Sequence, residues 1–263
     1  LDPDVANSLA NLAVLYRQAG QLAEAIDYDQ RALAIRRANF GRRHATTAFS
    51  LNNLAMGYAS VGRFTEAVRL YEDALAVRQE LLGAEHPETL VTMNNLAAAY
   101  GSQGRAEDSL AMHLRVLEAK RKVFGDEHPS VTISLGNLAS GYTTLGQYDK
   151  SLELRRQSLE RFAAQVGTEH PSYALGLTNL GKQYQLMERY DDAIAELQRA
   201  AAILEKAYGP NHPDVASALA NLAHVAGWRS ALAALAARGL VRQWTGQRPP
   251  AARPKSESLV RLS

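Results

Sequence analysis

Five histidines, His44, His86, His128, His170 and His212, recur every 42 residues, and imidazole is the side chain most often recruited for metal ligation and proton transfer near neutral pH. A zinc ion wants its ligands within about 2.1 Å of one centre, whereas stacked helical units lie roughly 10 Å apart. One histidine per unit therefore predicts packing or hydrogen bonding at each junction, and no metal site. The chain has no His-Glu-x-x-His, no phosphate-binding glycine loop and no nucleophile elbow. Glu153 and Glu160 sit among Arg155, Arg156 and Arg161, which reads as charge pairing on a solvated helix face. There is no cysteine, so disulfides and thiol catalysis are excluded. These observations predict a non-catalytic protein with no cofactor.

What remains is a set of amides and hydroxyls that could bind. Asn11, Asn53, Asn95, Asn137, Asn179 and Asn221 share the 42-residue interval, and Tyr16, Tyr58, Tyr100, Tyr142 and Tyr184 follow five positions later. Pro3, Pro87, Pro129, Pro171 and Pro213 form a further ladder. A fixed period of a few tens of residues marks one supersecondary unit stacked on itself, a solenoid whose product is an extended surface.

Residues 87–124 show what each unit must be. Pro87 suits the first turn of a helix, with His86 as a poor N-cap assisted by Glu85 and Glu88. Leu90, Met93, Leu96, Ala97 and Tyr100 repeat at three and four, a helical period, and Gly104 ends the helix. A second helix starts near Arg105 with Leu110, Leu114 and Leu117 as its buried stripe. The pair would be roughly 16 and 19 residues, about 24 and 28 Å long. Small residues (Ala13, Ala55, Ala97 and Ala139; Ala25, Ala67, Ser109, Ser151 and Ala193) fall where the two helices must approach closely. Each tyrosine should span adjacent units with its ring buried and its hydroxyl paired.

Leu54, Ala55, Tyr58, Gly62, Phe64, Ala67, Tyr71 and Ala74 reproduce the tetratricopeptide repeat (TPR) pattern. The 42-residue length, the Gly-x-Glu-His-Pro connector and the Asn-Leu-Ala-x-x-Tyr run resemble the repeats of kinesin light chain and its bacterial relatives. The resemblance implies an all-α, right-handed superhelical solenoid of antiparallel helix pairs, with five full repeats and a degenerate sixth. Its boundaries would be 1–42, 43–84, 85–126, 127–168, 169–210 and a partial 211–238, followed by a basic Pro/Arg/Ser-rich tail at 239–263. Residues 229–238 read as a closing helix, and Trp244 either packs on it or docks elsewhere. Repeat one has Asp2 where later units have histidine. Glu188 stands where glycine closed the earlier turns, so that turn is either α-compatible or strained.

The resemblance also implies that first helices line a concave face. Carried over, the peptide-binding groove is Asn11, Arg17, Phe49, Asn52, Asn53, Met56, Val91, Asn94, Asn95, Ile133, Asn137, Ser140, Asn179 and Lys182. First helices two to four carry no charged residue between Thr46 and Val61, Thr89 and Gly104, or Ser130 and Gln147. The inner wall therefore reads as polar and neutral. Asparagine can donate and accept, which suits the backbone of an extended peptide, while Phe49, Met56, Val91 and Ile133 offer shallow apolar pockets. The ladder asparagines have two readings, keeping the fold or touching a ligand. Asn52 and Asn94 occur in only two units and favour the second. Arg17 and Lys182 lie too far apart in the stack to form one carboxylate clamp.

Charge agrees with a protein partner. The chain is +2 overall, but residues 227–263 hold seven basic and one acidic residue, which leaves 22 basic and 26 acidic residues in 1–226. A mildly acidic body argues against nucleic acid, and no apolar run approaches the roughly 20 residues that span a bilayer. The expected role is a cytoplasmic interaction scaffold, monomeric, with weak self-association through the tail. Leu1 in place of a start methionine reads as a fragment of something longer. That keeps open a regulatory module of a larger signalling protein, alongside a self-assembling repeat.

Overall fold

A computed structural model describes residues 2–227, and the closing helix at 229–238, Trp244 and the tail lie outside them. Every regular element among the described residues is an α-helix, and the helices alternate in length. The chain forms two compact units, Leu1–Gln147 and Tyr148–Ser263. The first holds α1 (Pro3–Gln18), α2 (Leu22–Phe40), α3 (Ala45–Ser60), α4 (Phe64–Leu82), α5 (Pro87–Ser102), α6 (Ala106–Phe124) and α7 (Pro129–Thr144). The second holds α8 (Tyr148–Val166), α9 (Pro171–Leu186), α10 (Tyr190–Tyr208) and α11 (Pro213–Ala226). This is an all-α, helix-pair repeat solenoid. The α5 and α6 lengths of 16 and 19 residues match the periodicity reading.

Within the first unit each even-numbered helix packs on the odd-numbered helix before it and the one after it. The small residues make this possible: Ala13, Ala25, Ala55, Ala67, Ala97, Ser109 and Ala139 are all buried. Leu54, Leu90, Met93, Leu96 and Tyr100 fill the space between, as helical periodicity demands. One expectation fails. Leu117 is buried as expected, but Leu110 is only partly buried and Leu114 is exposed; α6 buries Ser109, His113 and Val116 beside Leu117. The inward stripe is rotated by one position because α5 and α7 both press on α6.

Each odd helix starts on a real side-chain cap, which corrects the view of His86 as a poor one. His44, His86, His128, His170 and His212 each accept, through Nδ1, the backbone N–H two residues on at 3.1–3.2 Å. Imidazole thus imitates the oxygen of a capping Asp or Asn. Asp2 performs that task in repeat one, accepting from the Asp4 N–H at 2.9 Å. Phe40, Phe124 and Tyr208, each four residues upstream, stack on His44, His128 and His212 with ring centroids 4.4–4.8 Å apart.

The even helices end in glycine: Gly83 at φ 89 and ψ 164 occupies a region essentially closed to residues with a Cβ. The turn after α9 breaks the glycine rule. Glu188 takes φ 59, the single non-glycine residue with positive φ among those described, so of the two readings of that turn the strained one holds.

The tyrosine ladder crosses between repeats. Tyr58 Oη accepts from Gln30 Nε2, Tyr100 Oη donates to Glu72 and Tyr184 Oη accepts from Arg156, all at 2.8 Å. Arg63, Arg105 and Arg189 lie over the faces of the same three rings at 3.9–4.5 Å from the centroid.

Candidate peptide-binding face

The odd helices of the first unit share one face. At a single register on α3, α5 and α7, Phe49, Val91 and Ile133 are 43%, 53% and 50% exposed. The leucines of the same helices are buried, so these three side chains form an apolar row that the fold leaves in water. Ser140 and Asn11 are exposed, Met56 is half-buried, and so are Asn94, Asn95 and Asn137.

Asn52 and Asn53 are different, at 6% and 7% exposed. Two of the ladder asparagines are tied to the repeat before them. Asn137 Nδ2 donates to Asn94 Oδ1 at 2.7 Å, and Asn95 Nδ2 donates to Asn52 Oδ1 at 3.4 Å. The ladder asparagine of one repeat is thus hydrogen-bonded to the extra asparagine of the repeat before it. Asn52 supports the wall from beneath. Its fitness as a ligand contact, inferred from its rarity along the chain, is corrected by this burial.

Behind the neutral wall runs a basic ladder. Arg36, Arg78 and Lys120 stand at the 42-residue interval in the even helices, and Arg36 and Arg78 are buried behind the odd-helix face, at 5% and 3% exposed. Arg36 donates to Ser50 Oγ at 2.6 Å and Asn7 Oδ1 at 2.8 Å, and lies 5.3 Å from the Phe49 ring centroid. Arg78 donates to Thr92 Oγ1 at 2.5 Å, and Thr92 in turn donates to Asn52 Oδ1 at 3.4 Å. Arg78 also pairs with Glu88 at 3.2 Å. Lys120 Nζ donates to the Ser130 carbonyl at 3.3 Å. Burial pushes all three pKa values down, with Asp29 opposing this at Arg36 and Glu88 opposing it at Arg78. Both guanidiniums nevertheless stay charged. Sequence reasoning tested the first helices for charge and missed this ladder, although its spacing was visible.

Arg17 is not a free groove cation either. It pairs with the buried Asp29 at 2.5 Å. Burial pushes the Asp29 carboxyl up to about 6, against the pull of Arg17. In the second unit, Asn179 and Lys182 are exposed on α9.

The sequence profile of the tetratricopeptide repeat matches residues 4–80, 51–122, 95–164 and 172–237. The chain belongs to the tetratricopeptide repeat family. Among solved structures, TPR-like repeats of a kinesin light chain candidate from Podosopora anserina are 30% identical, with a TM-score of 0.64 over 79% of this chain and 98% of that one. BtubC (BKLC) from P. vanneervenii is 21% identical, with a TM-score of 0.60 over 93% and 99%. A Rap protein complexed with Competence and Sporulation Factor is 14% identical, with a TM-score of 0.64 over 88% and 67%. The last two are alike in fold alone. No curated protein matches the chain.

The TPR is a non-catalytic scaffold fold whose groove binds proteins and peptides, and this chain is a scaffold of the kinesin light chain type. Among the described residues, no helix is long and apolar enough to cross a membrane, and no three potential metal ligands converge.

Proposed function

We propose that the first unit binds an extended segment of a partner protein along α3, α5 and α7, on Phe49, Met56, Val91, Asn94, Asn95, Ile133, Asn137 and Ser140. The observation that carries this reading is the exposed apolar row, since folding alone gains nothing from leaving Phe49, Val91 and Ile133 in water. Asn52 holds Asn95 in place from behind, while Asn11 extends the face onto α1. Asn179 and Lys182 offer a separate polar patch on α9. The cysteine-free sequence fits a reducing cytoplasm, which cell fractionation would check.

The test is site-specific photo-cross-linking in cells. Benzophenone placed at Val91 should capture a partner segment, identified by mass spectrometry. The same group at the exposed Glu118 of α6 should not. Equal capture at both positions, or capture from Glu118 alone, would remove the assignment.

A second reading has its own observation. Val5, Leu12 and Leu15 are exposed on α1, whereas Thr47, Leu54 and Gly57, their equivalents on α3, are buried. That exposed apolar face suits association with a second copy of the chain. Sedimentation velocity over a concentration series decides it: a constant monomer coefficient rules it out.

A further inference from the structure

Building on that reading of the face, we infer that the bound segment adopts the polyproline II conformation, with an aliphatic side chain at every third residue and acidic residues between. The spacing of the row carries the argument. Asn95 on α5 reaches Asn52 on α3, and Asn137 on α7 reaches Asn94 on α5, by direct side-chain hydrogen bonds. Helices in such contact have axes about 8–10 Å apart, so Phe49, Val91 and Ile133 repeat at about that interval. A polyproline II segment rises about 3.1 Å per residue with three residues per turn, so residues three apart share one side at about 9.3 Å. A β-strand places residues three apart on opposite faces.

The polar groups of the face agree. The ladder bonds consume Asn94 Oδ1, Asn95 Nδ2 and Asn137 Nδ2. They leave Asn94 Nδ2 as an oriented donor and Asn95 Oδ1 and Asn137 Oδ1 as oriented acceptors. A polyproline II backbone has no internal hydrogen bonds, so its carbonyls and N–H groups are available to all three.

Charge sets the remaining feature. Arg36, Arg78 and Lys120 each precede a row residue by thirteen positions, and Arg36 and Arg78 lie buried behind the face. Facing carboxylates are Asp29, itself paired with Arg17, and Glu88. The surplus behind the row is positive, which complements acids on the segment.

The probe is a fluorescein-labelled peptide of four Leu-Asp-Pro triplets, titrated into the full chain and read by anisotropy. It should bind at least about tenfold tighter than a shuffled peptide of the same composition, and about tenfold tighter than its Leu-Lys-Pro counterpart. Val91→Asp and Ile133→Asp, both at exposed sites and checked for folding by circular dichroism, should each weaken it by about tenfold. A hydrocarbon-stapled helix with leucines seven residues apart should bind no better than the shuffled peptide. Equal binding of ordered and shuffled peptides, or tightest binding of the stapled helix, overturns the inference. If Val91→Asp still weakens that binding, the face assignment survives. No peptide binding, with successful cross-linking from Val91, overturns the inference alone. Failure of both overturns the face as well.

Discussion

Asn137 donates its side-chain amide to Asn94 Oδ1 across 2.7 Å, tying α7 to α5. The tie joins successive first helices directly. Removing it with Asn137→Ala should lower stability by about 1 kcal/mol. A double-mutant cycle with Asn94→Ala, measured by urea denaturation, should return a coupling of about 0.5–1.5 kcal/mol. Additive losses would mean that the two amides do not depend on each other.

Glu188 at φ 59 sits where Gly20, Gly62, Gly104 and Gly146 take φ 71–85. A left-handed conformation costs a side-chain-bearing residue about 1–2 kcal/mol. Glu188→Gly should therefore stabilise the chain by about 1 kcal/mol, since among the described residues the exposed carboxylate makes no hydrogen bond or ion pair that offsets the strain. An unchanged or lower melting temperature would refute this.

The histidine caps can be separated from histidine as such. His86→Ala leaves the Glu88 N–H without its acceptor and should cost about 1 kcal/mol. His86→Asn retains a capping oxygen and should recover most of that loss. If both variants lose equally, the ring matters through packing and the cap contributes little.

His113 is buried in α6, and desolvation pushes its pKa down to about 4. An unfolded histidine titrates near about 6.5, so below that pH the unfolded chain takes up a proton that the folded chain refuses. The stability is fully present above about pH 6.5 and is lost as pH falls towards about 4, by roughly 3 kcal/mol. Asp29, raised to about 6, has the opposite slope, since its buried carboxyl is easier to accommodate once protonated. His113→Leu isolates the difference: relative to the parent it should gain about 3 kcal/mol between about pH 7 and pH 4. A pH-independent difference would show that His113 is hydrated in the folded protein.

Some of the tertiary structure could have been read from the repeat register. Glu85 pairs with Lys122 at 2.6 Å and Glu169 with Lys206 at 2.7 Å, each across one repeat. The same two positions in the second repeat are Arg43 and Glu80, which pair at 3.6 Å with the charges exchanged. Aligning the chain with itself and looking for exchanged signs exposes that contact. The Arg36, Arg78 and Lys120 ladder was legible in the same way. Reading each helix in isolation hid it, because a long basic side chain can cross from the helix that carries it to the face of the next.

Among the described residues, the 42-residue rhythm by itself determined helix number, helix length, the close approaches at alanine and the turn positions. Those depend on local periodicity and on the need of every repeat to bury the same stripe against its neighbours. Only the tertiary structure decided which asparagines reach solvent. Asn52 and Asn94 occupy the same register, yet Asn52 is buried and Asn94 is half-exposed. Thr92 and Arg78 close over Asn52. Exposure at a repeated position is set by the side chains of the flanking repeats, and these vary while the backbone pattern does not.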